Sequence, residues 1–205
     1  MKPSDLLTRH KQAWQAATSH QFLDAARDGT LSPLVFGTWL VQDFLFVADE
    51  LACQAELLTR APRAAQNLLI RGLTALVAEM GWFELHAQRR NLSLEATRSP
   101  ACVAYRDFLR SLEQRPYPVA ITAIWAIERA YFDAWKSAYP CQSQYQEYVE
   151  HWVNADFEHF VEELEQTAEI ALSSANLDRE AEAAFIRVAQ LERDFWNMAW
   201  SGGVS

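Results

Sequence analysis

The stretch Ser32-Pro33-Leu34-Val35-Phe36-Gly37-Thr38-Trp39-Leu40-Val41-Gln42-Asp43-Phe44-Leu45-Phe46-Val47-Ala48-Asp49-Glu50 decides the fold. Ser32 reads as an N-cap, and Pro33 falls at the first helical position, where a missing N–H removes no hydrogen bond. Apolar residues then recur every three or four positions, the period of a helix with one buried face. The same punctuation continues outward. Asp28-Gly29 ends an expected helix over about residues 4 to 27, and the helix begun at Ser32 runs to about 60. Thr59-Arg60-Ala61-Pro62 restarts the chain for a helix to about 90, with a bend expected at Gly81. Arg98-Ser99-Pro100 caps a fourth helix ending near Gln114, and Pro116 and Pro118 bracket the start of a fifth over about 118 to 138. Tyr139-Pro140 breaks it. An acidic helical pair covers about 142 to 173, a last helix covers about 178 to 200, and the tail Ser201-Gly202-Gly203-Val204-Ser205 is expected to fray. No repeat, low-complexity tract or linker interrupts the pattern, so one all-α domain, a helical bundle over residues 1–205, is expected.

Composition agrees with that reading. Half of the 205 residues are hydrophobic and 12% are aromatic, while only six glycines and seven prolines are present. Disorder needs low hydrophobicity, and sandwiches and barrels need more turn residues. The net charge is −9, and no basic cluster is larger than Arg89-Arg90, so neither a nucleic acid nor a membrane surface is an expected partner. The N-terminal segment has no apolar signal-like region, and three cysteines, Cys53, Cys102 and Cys141, lack CxxC spacing. A cytoplasmic setting without a zinc site is expected.

Chemistry enters through charged residues on apolar helical faces, where a carboxylate is costly unless paired. Trp39, Asp43, Phe46 and Glu50 share one stripe. Glu128 lies between Ile124, Trp125 and Tyr131, Phe132, and Glu192 lies between Val188 and Phe195, Trp196. Each carboxylate accepts a hydrogen bond from a tyrosine, tryptophan or arginine inside the bundle, lies at a boundary where the helix is rotated, or lines a ligand pocket. Rings and carboxylates together suit a flat, nitrogen-rich heteroaromatic ligand, whose faces stack and whose amidine-like edge donates two hydrogen bonds to a carboxylate. Burial also shifts carboxyl groups toward the range useful for acid–base chemistry.

Five segments carry a resemblance to a known family: residues 36–46; Gly81-Trp82-Phe83-Glu84; Cys102-Val103-Ala104-Tyr105-Arg106-Asp107-Phe108-Leu109; Tyr148-Val149-Glu150-His151-Trp152 with Phe157; and Glu192-Arg193-Asp194-Phe195-Trp196-Asn197-Met198-Ala199. In order and spacing the sequence resembles the TenA family, also called thiaminase II. The resemblance implies a haem-oxygenase-like all-helical fold, no cofactor, a homodimer or homotetramer, and action on the pyrimidine half of thiamin and its breakdown products. It also implies that Asp43 binds the pyrimidine, Phe46 stacks on it, Tyr105 and Trp152 occupy pocket positions, and Glu192 is catalytic. Trp39, on the Asp43 stripe, joins the substrate-binding set. The family's nucleophilic cysteine and the tyrosine four residues later are replaced by Ile124 and Glu128. The chain therefore resembles the subgroup without that cysteine, whose substrates are aminopyrimidine salvage intermediates.

On this reading the chain hydrolyses 4-amino-5-aminomethyl-2-methylpyrimidine or its formyl derivative, with Glu192 as acid and Glu128 either activating water or acting as nucleophile. Two alternatives belong to other classes. The same fold hosts haem and di-iron oxygenases, for which His10 or His20 would be the axial candidates; however, no GxxxG or Glu-x-x-His occurs, and Glu84/His86 and Glu158/His159 have the wrong spacing to converge on one metal. A pyrimidine-binding protein without catalysis is the other.

Overall fold

The computed structural model describes residues 1–202. Among these it contains ten α-helices and one short 3-10 turn, with no strand: α1 Ser4–Arg9, α2 Lys11–Thr18, α3 Gln21–Asp28, α4 Pro33–Thr59, α5 Arg63–Arg89, α6 Pro100–Ser111 with the turn Leu112–Gln114, α7 Tyr117–Ser137, α8 Gln146–Trp152, α9 Ala155–Ser173 and α10 Asp178–Trp200. No described helix is long and apolar enough to cross a membrane. The expectation of fraying at Gly203-Val204-Ser205 lies outside the described residues.

The helices group into two compact units, one of residues 1–31 with 116–196 and one of residues 32–115 with the segment from Asn197 onward. In the latter, α4 begins as its sequence indicates: the Ser32 hydroxyl accepts the Val35 N–H at 3.2 Å with Pro33 at the first turn. A cap of this kind contributes about 1 kcal/mol. α4 buries Phe36, Trp39, Leu40, Phe46, Val47 and Leu57 and packs on α5 after the short connection Arg60–Pro62. α5 is continuous through Gly81, so the expected bend does not interrupt its ladder. The close approach is at Gly37 instead, where a Cβ would meet the Leu92 side chain at 3.3 Å.

The segment between α5 and α6 is fastened to α4. Gln42 donates to the Thr97 carbonyl at 3.0 Å and accepts the Ser99 N–H at 2.8 Å. Arg98 forks onto Asp49, Nε to Oδ2 at 2.8 Å and Nη2 to Oδ1 at 3.0 Å. Ser99 then caps α6 by accepting the Cys102 N–H at 3.2 Å, with Pro100 at its first turn. The Arg60 guanidinium closes the other end by donating to the carbonyls of Leu112 and Arg115.

In the other unit, α7 is buried on nearly every face from Val119 to Trp135, as a helix does when others surround it; α2, α3, α8 and α9 pack on it. Asp133 on α7 accepts from Trp14 Nε1 and from Arg129 Nε, both at 3.0 Å. Residues 4–27 correct the sequence reading: instead of one helix they form three. The chain breaks at His10 (φ −111°, ψ 34°) and at Ser19 (φ −133°, ψ 116°). His10 Nε2 lies 2.7 Å from Glu182 Oε1, and His20 Nδ1 accepts the Phe22 N–H to start α3. Gly29 ends α3 in the left-handed region at φ 72°, which glycine reaches without strain.

Two stability tests follow from these ties. Arg98→Ala removes a two-point, charge-assisted contact and leaves Asp49 partly buried; a loss of about 1–3 kcal/mol is expected in denaturant melts followed by circular dichroism. Hydrogen bonds from His10 and then Arg9 hold the Glu182 carboxyl below its ordinary range. Such a group adds stability above its unfolded pKa of about 4.3, and this is lost as pH falls through the lower folded value. The stability gap between wild type and Glu182→Gln should be present at about pH 5 and should close as pH falls well below 4.

Candidate active site

The α4 stripe supplies the first group of expected site residues. Trp39, Asp43 and Phe46 are 0%, 1% and 7% exposed. Spacings of three and four residues put them on one side of the helix. Trp39 is packed by Phe36 at 5.1 Å and Phe83 at 6.0 Å between ring centroids. Tyr105 on α6 meets Phe46 at 4.6 Å, the rings tilted by 51°. The fold therefore brings together two of the resembled pocket positions, Phe46 and Tyr105, on helices that pack directly on each other.

The same stripe continues into residues that the sequence reading noted or passed over without assigning a role. Glu50 and Gln54 are 3% and 0% exposed, and Gln54 Nε2 donates to Glu50 Oε1 at 3.2 Å. Their signal was spacing alone, seven and eleven residues beyond Asp43, which returns both to its side of α4. A shallow groove of about 320 Å³ lies beside the N-terminal end of α4, lined by Pro33, Leu34, Gly37, Val41 and Leu92 among others. None of the expected site residues lines it.

The remaining expected residues belong to the other unit. Glu128 on α7 is 8% exposed, Trp152 on α8 is 3% exposed and Glu192 on α10 is 3% exposed. Trp152 stacks on Trp135 at 5.1 Å and 18°, and receives Tyr131 edge-on at 5.1 Å and 90°. Tyr131 in turn stacks parallel to Trp196 at 6.2 Å and 14°, and Phe22 closes the cluster against Trp196 at 5.3 Å. Each such pair adds roughly 0.5–1.5 kcal/mol beyond burial and fixes ring orientation. Trp125, three residues before Glu128, and Trp196, four after Glu192, carry buried indole N–H groups with no hydrogen-bond partner among the described residues. A buried indole N–H ordinarily finds an acceptor.

The cysteines do not resemble nucleophiles. All three are free and buried. Burial, reinforced by Glu50 beside Cys53 and by Asp49 beside Cys102, pushes both thiols up to about 12, so both stay protonated at neutral pH. Their Sγ–H groups donate weakly to the carbonyls of Leu109 and Gln42. Ile124, where the resembled family has its nucleophile, is 0% exposed on α7. Among the described residues no group of three or more His, Cys, Asp or Glu is placed to hold a metal ion.

Comparison with known proteins matches this geometry to one family. A family model described as TENA/THI-4/PQQC matches residues 7–202. A Glycine max protein named probable bifunctional TENA-E protein is 30% identical over 207 residues, covering 94% of this chain and 90% of its own. A TenA homologue from Pyrococcus furiosus superposes with a TM-score of 0.93 at 26% identity, covering 97% of this chain and 100% of its own. A TenA homologue from P. horikoshii OT3 superposes at 0.87 with 21% identity, covering 98% and 100%. A match over nearly the whole sequence, joined to the same all-helical architecture, settles membership: the chain belongs to the TENA/THI-4/PQQC family.

Proposed function

We propose that the chain is a thiamin-salvage hydrolase that replaces the exocyclic amine of 4-amino-5-aminomethyl-2-methylpyrimidine, or of its N-formyl derivative, with a hydroxyl from water. The family's thiamin-related function supplies the setting. The observation that carries the reading is the burial of three carboxylates on three helices, Asp43, Glu128 and Glu192, none more than 8% exposed and each with aromatic residues three or four positions away on its own helix. A carboxylate in such a place is expensive unless it has a partner or a task.

The atoms balance simply. In the aminomethyl substrate the bond between the methylene carbon and nitrogen breaks, a carbon–oxygen bond forms from water, and ammonia leaves with the second water proton. The N-formyl derivative first loses formate by hydrolysis of its amide with another water and then follows the same step. Asp43 accepts from the 4-amino group and the protonated ring nitrogen beside it, which fixes the ring in plane. By the family resemblance Phe46 and Trp152 are the stacking residues, and Trp39 and Tyr105 belong to the substrate-binding set. An amine departs readily only when protonated, so Glu192 acts as the acid. Glu128 either takes a proton from the attacking water or attacks the methylene carbon itself, displacing the amine to form an ester that a water then hydrolyses to release the alcohol and free the carboxylate. The identity of residue 124 as isoleucine removes the thiol route from that position. A cytoplasmic location fits the buried free thiols.

Purified protein incubated with the aminopyrimidine should release ammonia and the hydroxymethyl product in equal amounts. Asp43→Ala is expected to raise KM and lower kcat/KM, and Glu192→Gln to lower kcat by roughly 10²–10⁴-fold. Tight binding without turnover, or turnover unchanged in both variants, contradicts the assignment. For Glu128 the two roles part in a single-turnover assay: a covalent pyrimidine adduct detected by intact mass in wild type and absent in Glu128→Gln marks the nucleophile, whereas a rate loss without any adduct marks the base.

A further inference from the structure

Gln42 is a buried polar side chain, 7% exposed, one position before Asp43 on α4. Both ends of its amide are engaged by main chain from the segment ahead of α6. Nε2 donates to the Thr97 carbonyl at 3.0 Å, and Oε1 accepts the Ser99 N–H at 2.8 Å. These opposite partners fix which way round the amide sits. The main-chain carbonyl of Gln42 also accepts the Cys102 Sγ–H, weakly, at 3.7 Å. One residue of α4 therefore holds α6 both at its approach, through Thr97 and Ser99, and at its first turn, through Cys102.

The consequence lies one turn further along both helices. Phe46, four residues after Gln42, meets Tyr105, three residues after Cys102, at 4.6 Å between ring centroids. Further on, Cys53 Sγ donates to the Leu109 carbonyl at 3.5 Å. The two helices thus advance side by side in the same direction, with the ring pair between two ties. Gln42 itself points about 100° away from Asp43 round the helix and lines the shallow groove, so it reaches the ring pair only through α6. We infer that Gln42 is a positioning residue for pyrimidine binding, setting the register of α6 on α4 and with it the placement of Tyr105 against Phe46. This role rests on the pyrimidine-binding set proposed for Asp43, Phe46 and Tyr105. A flat heterocycle stacks well over a narrow range of spacing, and a misplacement of about 1 Å costs up to roughly 10²-fold. Arg98 ties the same segment to Asp49, but those two side chains are 27% and 15% exposed, where water takes the place of a lost contact. Gln42 grips main-chain atoms from a buried position, where a lost partner is costly.

Steady-state kinetics with the aminomethylpyrimidine and calorimetric titration with the hydroxymethyl product, both on the full chain, test it. Gln42→Met keeps the side-chain length and removes both amide hydrogen bonds. It should raise KM and the product's Kd by roughly 10- to 10²-fold and hold kcat within about threefold, because the proposed proton-handling groups Glu128 and Glu192 are on α7 and α10. Arg98→Ala should lose stability and keep KM within about threefold of wild type. Equal rises in KM for the two variants assign the effect to anchoring of the segment as a whole and overturn the inference. A wild type that turns over the aminopyrimidine, with KM and Kd unchanged in Gln42→Met, overturns it too and leaves the proposed reaction standing. A wild type that binds the product without turnover loses the reaction alone, and the Kd of Gln42→Met then decides. A wild type that binds no pyrimidine overturns both. If Gln42→Met does not fold, Gln42→Glu takes its place: it keeps the acceptor for Ser99 and loses the donor to Thr97, and an unchanged Kd in it overturns the inference.

Discussion

Removing a carboxylate from water costs several kcal/mol unless partners or a ligand replace the lost hydration, and this chain does so repeatedly. Asp43, Glu50 and Glu192 are each at most 3% exposed and Glu128 is 8% exposed. A protein of this size has a net stability of only about 5–15 kcal/mol, so the partners that such side chains meet, in the fold or in a ligand, have to offset most of that cost. The helices around them are built to carry that burden. α4 is long, capped at Ser32 and fastened through Gln42 and Asp49 to the segment ahead of α6. α7 is sheathed on nearly all sides. Rigid elements of this kind position their own side chains more closely than loops do.

The rings serve two ends. Phe46 against Tyr105, and Trp152 against Trp135 and Tyr131, fill space as any core does. In the proposed function they also offer flat faces, held in orientation by neighbouring rings, for stacking on a planar heterocycle. In the proposed function, isoleucine at position 124 and glutamate at position 128 leave the chemistry to carboxylates instead of a thiolate. The three cysteines that remain lie elsewhere and stay protonated at neutral pH where burial raises them, at Cys53 and Cys102.

Much of this was legible in the sequence because it is local. Ser32-Pro33 and Ser99-Pro100 announce helix starts whose hydroxyls do accept the expected N–H groups. Asp43, Glu128 and Glu192 were found by their place on apolar faces, and all three are buried. The breaks at His10 and Ser19 were not legible. Each interrupts the helix so briefly that the apolar spacing continues across it, and the first is held by Glu182, 172 residues away. Arg98 and Asp49, 49 residues apart, carry no sequence signal of their pairing either. Glu50 stood on the right stripe, but its hydrogen bond from Gln54 became visible only in three dimensions.

In the proposed reaction, buried carboxylates bring the oxygen of water to a carbon carried by the pyrimidine. The most direct measurement is turnover of the aminomethylpyrimidine in heavy-oxygen water, with the product analysed by mass spectrometry. The account predicts an alcohol carrying one heavy oxygen atom, formed in step with ammonia. An unlabelled alcohol, or no alcohol at all from a folded protein that binds the pyrimidine, would contradict it.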